Sequence, residues 1–158
     1  MVLVGLVVLV VSVVAACGED PGSGVAVGLS RAEAIERIDA VCRRSVGLVR
    51  RVGPEPSIGA GSRLALDRYG RWHARAGAVV EAGLRQIERL AIPDDARKGE
   101  IRAYVYFSRL TISKGRGVLR AAQVGDDAGG EQLLGEMESD ADQAGFAARR
   151  YGLHECGA

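Results

Sequence analysis

Aromatic side chains are scarce in this 158-residue chain, where phenylalanine, tryptophan and tyrosine together make up 4%. A core built without them rests on small aliphatic side chains, each burying less apolar area. An excess of charge of one sign is also missing, because 21 Lys and Arg stand against 20 Asp and Glu. The formal net charge of +1 argues against an electrostatic nucleic-acid binder, which carries a clear basic excess. There are two histidines, His73 and His154, and neither sits in a Glu-x-x-His or His-x-x-x-His spacing. Di-iron and zincin helix sites therefore find no support. No Cys-x-x-Cys occurs, which removes the case for a thioredoxin-like redox site or a zinc knuckle. Thr111-Ile112-Ser113-Lys114 puts threonine where a Ser-x-x-Lys enzyme needs its nucleophile, without the Ser-x-Asn and Lys-Thr-Gly partners. Gly125 to Gly130 (GDDAGG) lacks the Gly-Lys-Ser/Thr of a phosphate loop, and its two acids would repel phosphate. The 22 glycines follow no three-residue period, so the chain is not collagen-like. These absences point away from an enzyme and leave no catalytic, cofactor or metal residue to nominate.

What is present begins at the N-terminus. Residues 2–16 read VLVGLVVLVVSVVAA without one charge. As a helix they span about 22 Å, short of the roughly 30 Å hydrocarbon core of a bilayer. That length suits the apolar region of a secretory signal. Val14-Ala15-Ala16-Cys17 resembles the lipobox of bacterial lipoproteins. The resemblance implies that the Cys17 sulfur takes a diacylglyceryl group and that a peptidase cuts just before it. An uncleaved anchor, or a non-lipid signal cut at the same bond, are the alternatives the residues leave open. All 41 charged residues lie beyond Cys17, the first being Glu19. The chain thus divides into a signal peptide over 1–16, a glycine-rich lipidated tether over 17–29 and a domain over 30–158. The expected location is extracytoplasmic, with the membrane as partner through the lipid on Cys17.

Export also bears on the other two cysteines, Cys42 and Cys156, which form an even pair once Cys17 is lipidated. A bridge between them would close a loop of 114 residues. In the chain-entropy account such a loop contributes about 4.7 kcal/mol. Two unpaired buried thiols are the alternative.

The mature chain reads as all-α, an up-down four-helix bundle closed by one disulfide. Ser30-Arg31-Ala32-Glu33 has the spacing of a capping box. Ile35, Ile38, Cys42, Ser45, Val49 and Val52 then form one helical stripe, ended by Gly53-Pro54-Glu55-Pro56. A second helix starts near Ser62, with Leu66, Tyr69, His73, Ala76, Val80, Gly83, Ile87 and Leu90 on its stripe. Pro93-Asp94-Asp95 ends it and offers a cap to the third, which carries Ile101, Val105, Ser108, Ile112, Gly115, Leu119 and Ala122. Gly125-Asp126-Asp127 precedes a fourth with Leu134, Met137, Ala141, Ala144, Ala148 and Tyr151, and Gly152 sits where a C-terminal glycine is wanted. In an even-numbered bundle both chain ends fall at one end, so Cys42 can meet Cys156. Glycines inside the helices, among them Gly70, Gly77, Gly115 and Gly135, each cost up to about 1 kcal/mol relative to alanine.

The lipobox Cys17, the first-helix segment Ile38-Asp39-Ala40-Val41-Cys42-Arg43 and the ending Tyr151-Gly152-Leu153-His154-Glu155-Cys156-Gly157 resemble a group of small secreted lipoproteins of high-GC Gram-positive bacteria. Nineteen arginines against two lysines suit a GC-rich genome. The resemblance implies a helical, disulfide-closed, membrane-tethered domain and carries no activity with it. Two functional expectations follow. The first is a non-enzymatic, lipid-anchored module that contacts an envelope protein or an anionic polymer, for which Arg43, Arg44, Arg50, Arg51, Arg63, Arg68, Arg71 and Arg75 offer a basic patch. Pairing of those arginines with the acidic segment Glu131 to Asp142 is the plainer account of them. The second is a binding protein for a small apolar ligand held between helices near His73, Tyr69 and Trp72. His73, on an apolar stripe, is otherwise a core histidine with a hydrogen-bond partner. Intact mass spectrometry of the membrane-extracted protein tests the anchor and the bridge together. The expected species begins at lipidated Cys17 and shows two alkylatable thiols only after reduction; an unlipidated chain with free Cys42 and Cys156 refutes both.

Overall fold

The computed structural model describes residues 28–58, 63–95 and 97–156. The segments expected to form a signal peptide and most of a tether, with Cys17 between them, lie outside the described residues. Four helices follow one another: α1 (Arg31–Val52), α2 (Arg63–Glu88), α3 (Lys98–Val124) and α4 (Asp127–Tyr151). No strand occurs among the described residues.

Each helix begins and ends for a local reason. Ser30 and Glu33 form the capping box in full, the Ser30 hydroxyl accepting from Glu33 N–H and the Glu33 carboxylate accepting from Ser30 N–H. Asp126 caps α4 by accepting from Gly129 N–H at 2.9 Å. The expected cap for α3 is displaced. Its N-cap position holds Arg97, which makes no side-chain cap bond, and Asp95 instead accepts from Arg97 N–H at 2.9 Å, ahead of the first turn. At the other end of α3, Arg63 reaches across from α2 and donates to the carbonyls of Ala122 and Gln123. It thereby adds a donor to carbonyls of the last turn, where Ala122 O also accepts from Gly125 N–H at 3.3 Å.

Consecutive helices run antiparallel, and α2–α3 and α3–α4 are the close pairs. Glycine sets the first of these distances. A Cβ on Gly70 would stand 2.7 Å from the Cα of Leu119, so the α2 and α3 backbones meet at a distance only glycine permits.

The chain ends are locked together at one end of the bundle. Gly152 adopts φ 106°, a left-handed conformation without penalty for glycine. Leu153 N–H then donates to Ala148 O and Gly152 N–H to Arg149 O, both at 3.0 Å, closing a Schellman motif that buries Leu153. The tail next meets α1. The buried Asp39 carboxylate accepts from His154 N–H at 3.1 Å and from Glu155 N–H at 3.0 Å. One residue further on, Cys156 is bonded to Cys42. The Tyr104 hydroxyl donates towards the Cys42 sulfur at 3.5 Å, adding α3 to the junction.

The core has two parts. One, at the disulfide end, draws Ile38 and Cys42 from α1, Leu84 and Ile87 from α2, Ile101 and Tyr104 from α3, and Ala148 and Tyr151 from α4. The other, at the far end, consists of Leu66, Tyr69, Val118, Ala122 and Met137 and contains no α1 residue. The reason is length. α1 ends opposite Trp72, whose indole N–H donates to Gly53 O at 2.9 Å, so the first turns of α2 extend past it. The bundle is four-helical near the bridge and three-helical beyond.

Substitutions at two helical glycines should move stability in opposite directions. Gly70→Ala forces α2 from α3 and should destabilise by about 1–3 kcal/mol. Gly135, whose Cβ position is open space, should gain roughly 0.5–1 kcal/mol as alanine. Chemical denaturation of the oxidised protein measures both; equal signs would show that the α2–α3 contact is not set at Gly70.

Candidate functional site

α1 leans on α2 and parts from α4. Near its start it is tied to the α4 end, where Arg31 donates to Tyr151 O at 2.5 Å and its guanidinium lies over the Tyr151 ring, 5.4 Å from the centroid. Further along, α1 follows α2, and a Cβ on Gly83 would lie 2.5 Å from the Ser45 hydroxyl. Opposite Val49 the facing α4 positions are Ala141, Ala144 and Gly145, too short to close the gap. The result is a cleft of about 520 Å³ between α1 and α4, floored by α2 and α3. Ala141, expected on a buried stripe, is exposed for this reason: it lines the cleft wall.

Two of the three residues expected to contact a ligand line this cleft, Trp72 and His73. Tyr69 does not. It packs into the far core, with its ring centroid 5.8 Å from that of His73 and 6.3 Å from that of Trp72. Burial, assisted by the charge of and a hydrogen bond with Glu55, pushes the Tyr69 phenol up to about 12. It stays neutral and works as packing.

His73 differs from the expected core histidine in one respect: its Nδ1 is buried without a hydrogen-bond partner. The cause lies on another helix. A Cβ at position 115 would stand 2.0 Å from that nitrogen, so the imidazole occupies the space Gly115 leaves open and abuts α3 backbone. Burial holds the His73 pKa below the ordinary histidine value. The remaining polar side chains around the cleft include Ser108 and Thr111 on α3 and Asp142 and Arg149 on α4. Thr111 spends its hydroxyl proton on Phe107 O at 3.0 Å.

The other expected site residues fall into structural roles. Cys42 and Cys156 are the bridge. His154 is exposed beside it, held through its backbone by Asp39. Asp39 was not singled out for a role from the sequence; a lone acid on an apolar helix face was the available signal. The acidic stretch of α4 does not pair with the arginines of α1 and α2. Glu136 and Asp140 both bind Lys114 of α3, at 3.2 and 2.7 Å. Among the described residues no group of His, Cys, Asp and Glu is placed to hold a metal ion, and no helix is long and apolar enough to cross a membrane.

The geometry defines a disulfide-closed helical bundle with a side cleft. No family model, curated protein or solved structure matches the chain.

The buried imidazole makes stability depend on pH. With its folded pKa depressed, His73 binds fewer protons in the folded state than in the unfolded one. Its contribution is complete above about 6.5, the unfolded value, and is lost as pH falls below it. The melting temperature of the wild type should fall more between pH 7.5 and 5.5 than that of His73→Leu, His154 being common to both. Parallel pH profiles would show that His73 takes up its proton at no cost.

Proposed function

We propose that this chain is a lipid-tethered, extracytoplasmic binding module without catalytic activity, and that the α1–α4 cleft holds a small, largely apolar ligand. The observation that carries the ligand reading is the cleft itself, a volume of about 520 Å³ whose floor includes Ala76, Gly77, Val80 and Ile112. Small-molecule sites are typically concave, mostly apolar and about 300–1,000 Å³, with a few polar groups that orient the ligand. His73, held neutral by burial, and Ser108 supply such groups without the cost of a buried charge. The tether reading rests on the lipobox at Cys17. The non-catalytic reading rests on the motifs missing from the sequence. The envelope-interaction role also expected from the sequence would use a different surface, the exposed arginines of α2.

Trp72 is the only tryptophan and lines the cleft, so its emission reports occupancy. Titration of the full-length oxidised chain with decanol, and separately with decanoate, should give a saturable change in Trp72 emission. Ala141→Trp, which fills the cleft from an exposed position, should reduce cleft binding of a non-fluorescent decanol competitor at least tenfold in equilibrium dialysis with no loss of melting temperature. Absence of saturable binding by the wild type, or equal binding by Ala141→Trp, overturns the ligand reading.

A further inference from the structure

A second hollow lies on the other side of Trp72, and the apolar-ligand reading makes no use of it. It sits between the α1–α2 connection and the outer face of α2 and is an open depression of about 630 Å³. Trp72 and Leu119 form its floor, and Pro54 and Pro56 stand along one side. Along the other stand Arg68, Arg71 and Arg75. Spacings of three and four place these three on one helical face, over about 10 Å of axis. The Trp72 indole is fixed from behind by its bond to Gly53 O.

Two of the three arginines on this face are unpaired. Arg71 pairs with Asp67. Arg68 and Arg75 are exposed and make no hydrogen bond or ion pair among the described residues, and the same holds for Arg116 and Arg120, which lie within one turn of Leu119 along α3. Of the α4 acids, Glu136 and Asp140 bind Lys114 instead. A chain of net charge +1 thus concentrates positive charge on one flank. Guanidinium groups present planar forks that match phosphate and carboxylate oxygens. The aromatic and aliphatic floor between them suits the C–H face of a ring or polyol backbone.

We propose that this hollow docks a hydroxyl-rich polyanion, a sugar or polyol polymer bearing phosphate or carboxylate groups. Arg68 and Arg75, two turns apart on α2, take anionic groups on either side of Arg71, which Asp67 already holds, and the backbone between them lies against Trp72 and Leu119. The floor between the arginines favours a polymer over a bilayer, because lipid headgroups alone would leave Trp72 and Leu119 uncovered. The proposal does not depend on the cleft or on its ligand.

The test is binding of the full-length oxidised chain to poly(glycerol phosphate) and to polygalacturonate, followed by Trp72 emission and co-sedimentation. Dextran, phosphatidylglycerol vesicles and duplex DNA are the comparisons. Saturable, salt-sensitive binding to at least one of the two polyanions is expected, with none to dextran; which of the two binds distinguishes phosphate from carboxylate recognition. The double substitution Arg68→Gln/Arg75→Gln should weaken it at least tenfold. Arg37→Gln/Arg89→Gln removes the same charge from exposed positions elsewhere and should leave it within twofold. Failure of both polyanions to bind, equal weakening by the two double variants, or tighter binding to the vesicles or to DNA overturns the proposal. Decanol binding in the cleft should be unchanged in Arg68→Gln/Arg75→Gln, which separates failure here from failure of the ligand reading.

Discussion

The attachment of the C-terminal tail to α1 is the constraint on which the rest of the structure depends. Without it α1 would rest chiefly on α2, because its second half makes no core with α4. The tail closes that gap at one end through three successive devices: the Schellman turn at Gly152, the Asp39 carboxylate on two backbone N–H groups, and the Cys42–Cys156 bond. The bridge joins the first helix to the end of the last, so it constrains nearly the whole domain in the unfolded state. Asp39 acts in the folded state, where its buried carboxylate is satisfied by the N–H groups of His154 and Glu155. A small core poor in aromatic rings gains from both.

The same attachment explains why a cleft exists. Two of the helix contacts are drawn in by glycine: α2 meets α3 at Gly70, and α3 receives the α4 side chain Leu133 over Gly117. α1 is pinned at the bridge and follows α2 from there. Between α1 and α4 the small α4 side chains, which elsewhere would let backbones approach, face the part of α1 beyond Cys42, where the bridge no longer holds it. Small residues therefore have opposite consequences in one bundle. Where the partner helix is free to come close they tighten the contact, and where it is held away they leave space. His73 stands at the border of the two regimes, its ring packed into the room left by Gly115 and its helix flooring the cleft.

Much of the fold was legible in the chain. The Ser30–Glu33 capping box, the stop at Gly53-Pro54, the Asp126 cap and the Gly152-Leu153 ending depend on residues within a few positions of each other, so local spacing reveals them. The place of Cys42 on the apolar seam of α1, together with the even helix count, made its meeting with Cys156 readable as well. The candidate site was less legible. His73 and Trp72 were nominated and do line the cleft, but Tyr69, one turn away, turns into the far core. Ala141 has the right period for burial and is exposed. Periodicity tells which face of a helix is apolar, and it cannot tell whether the facing helix arrives.

The sequence by itself determined the helices, their order and most of their ends, and made a bridge between the two domain cysteines the expected pairing, because each follows from short-range chemistry or from parity of the topology. Only the tertiary structure decided how far α1 stands from α4, why the His73 Nδ1 has no partner, and which cations the α4 acids neutralise. Those outcomes depend on the relative position of side chains brought together from distant parts of the chain. Lys114 reaches Glu136 and Asp140 because α3 and α4 are held close, and Arg68 and Arg75 are left unpaired because α2 turns them outward. A difference of a few ångströms in helix placement would reverse either result, and no single helix encodes that distance.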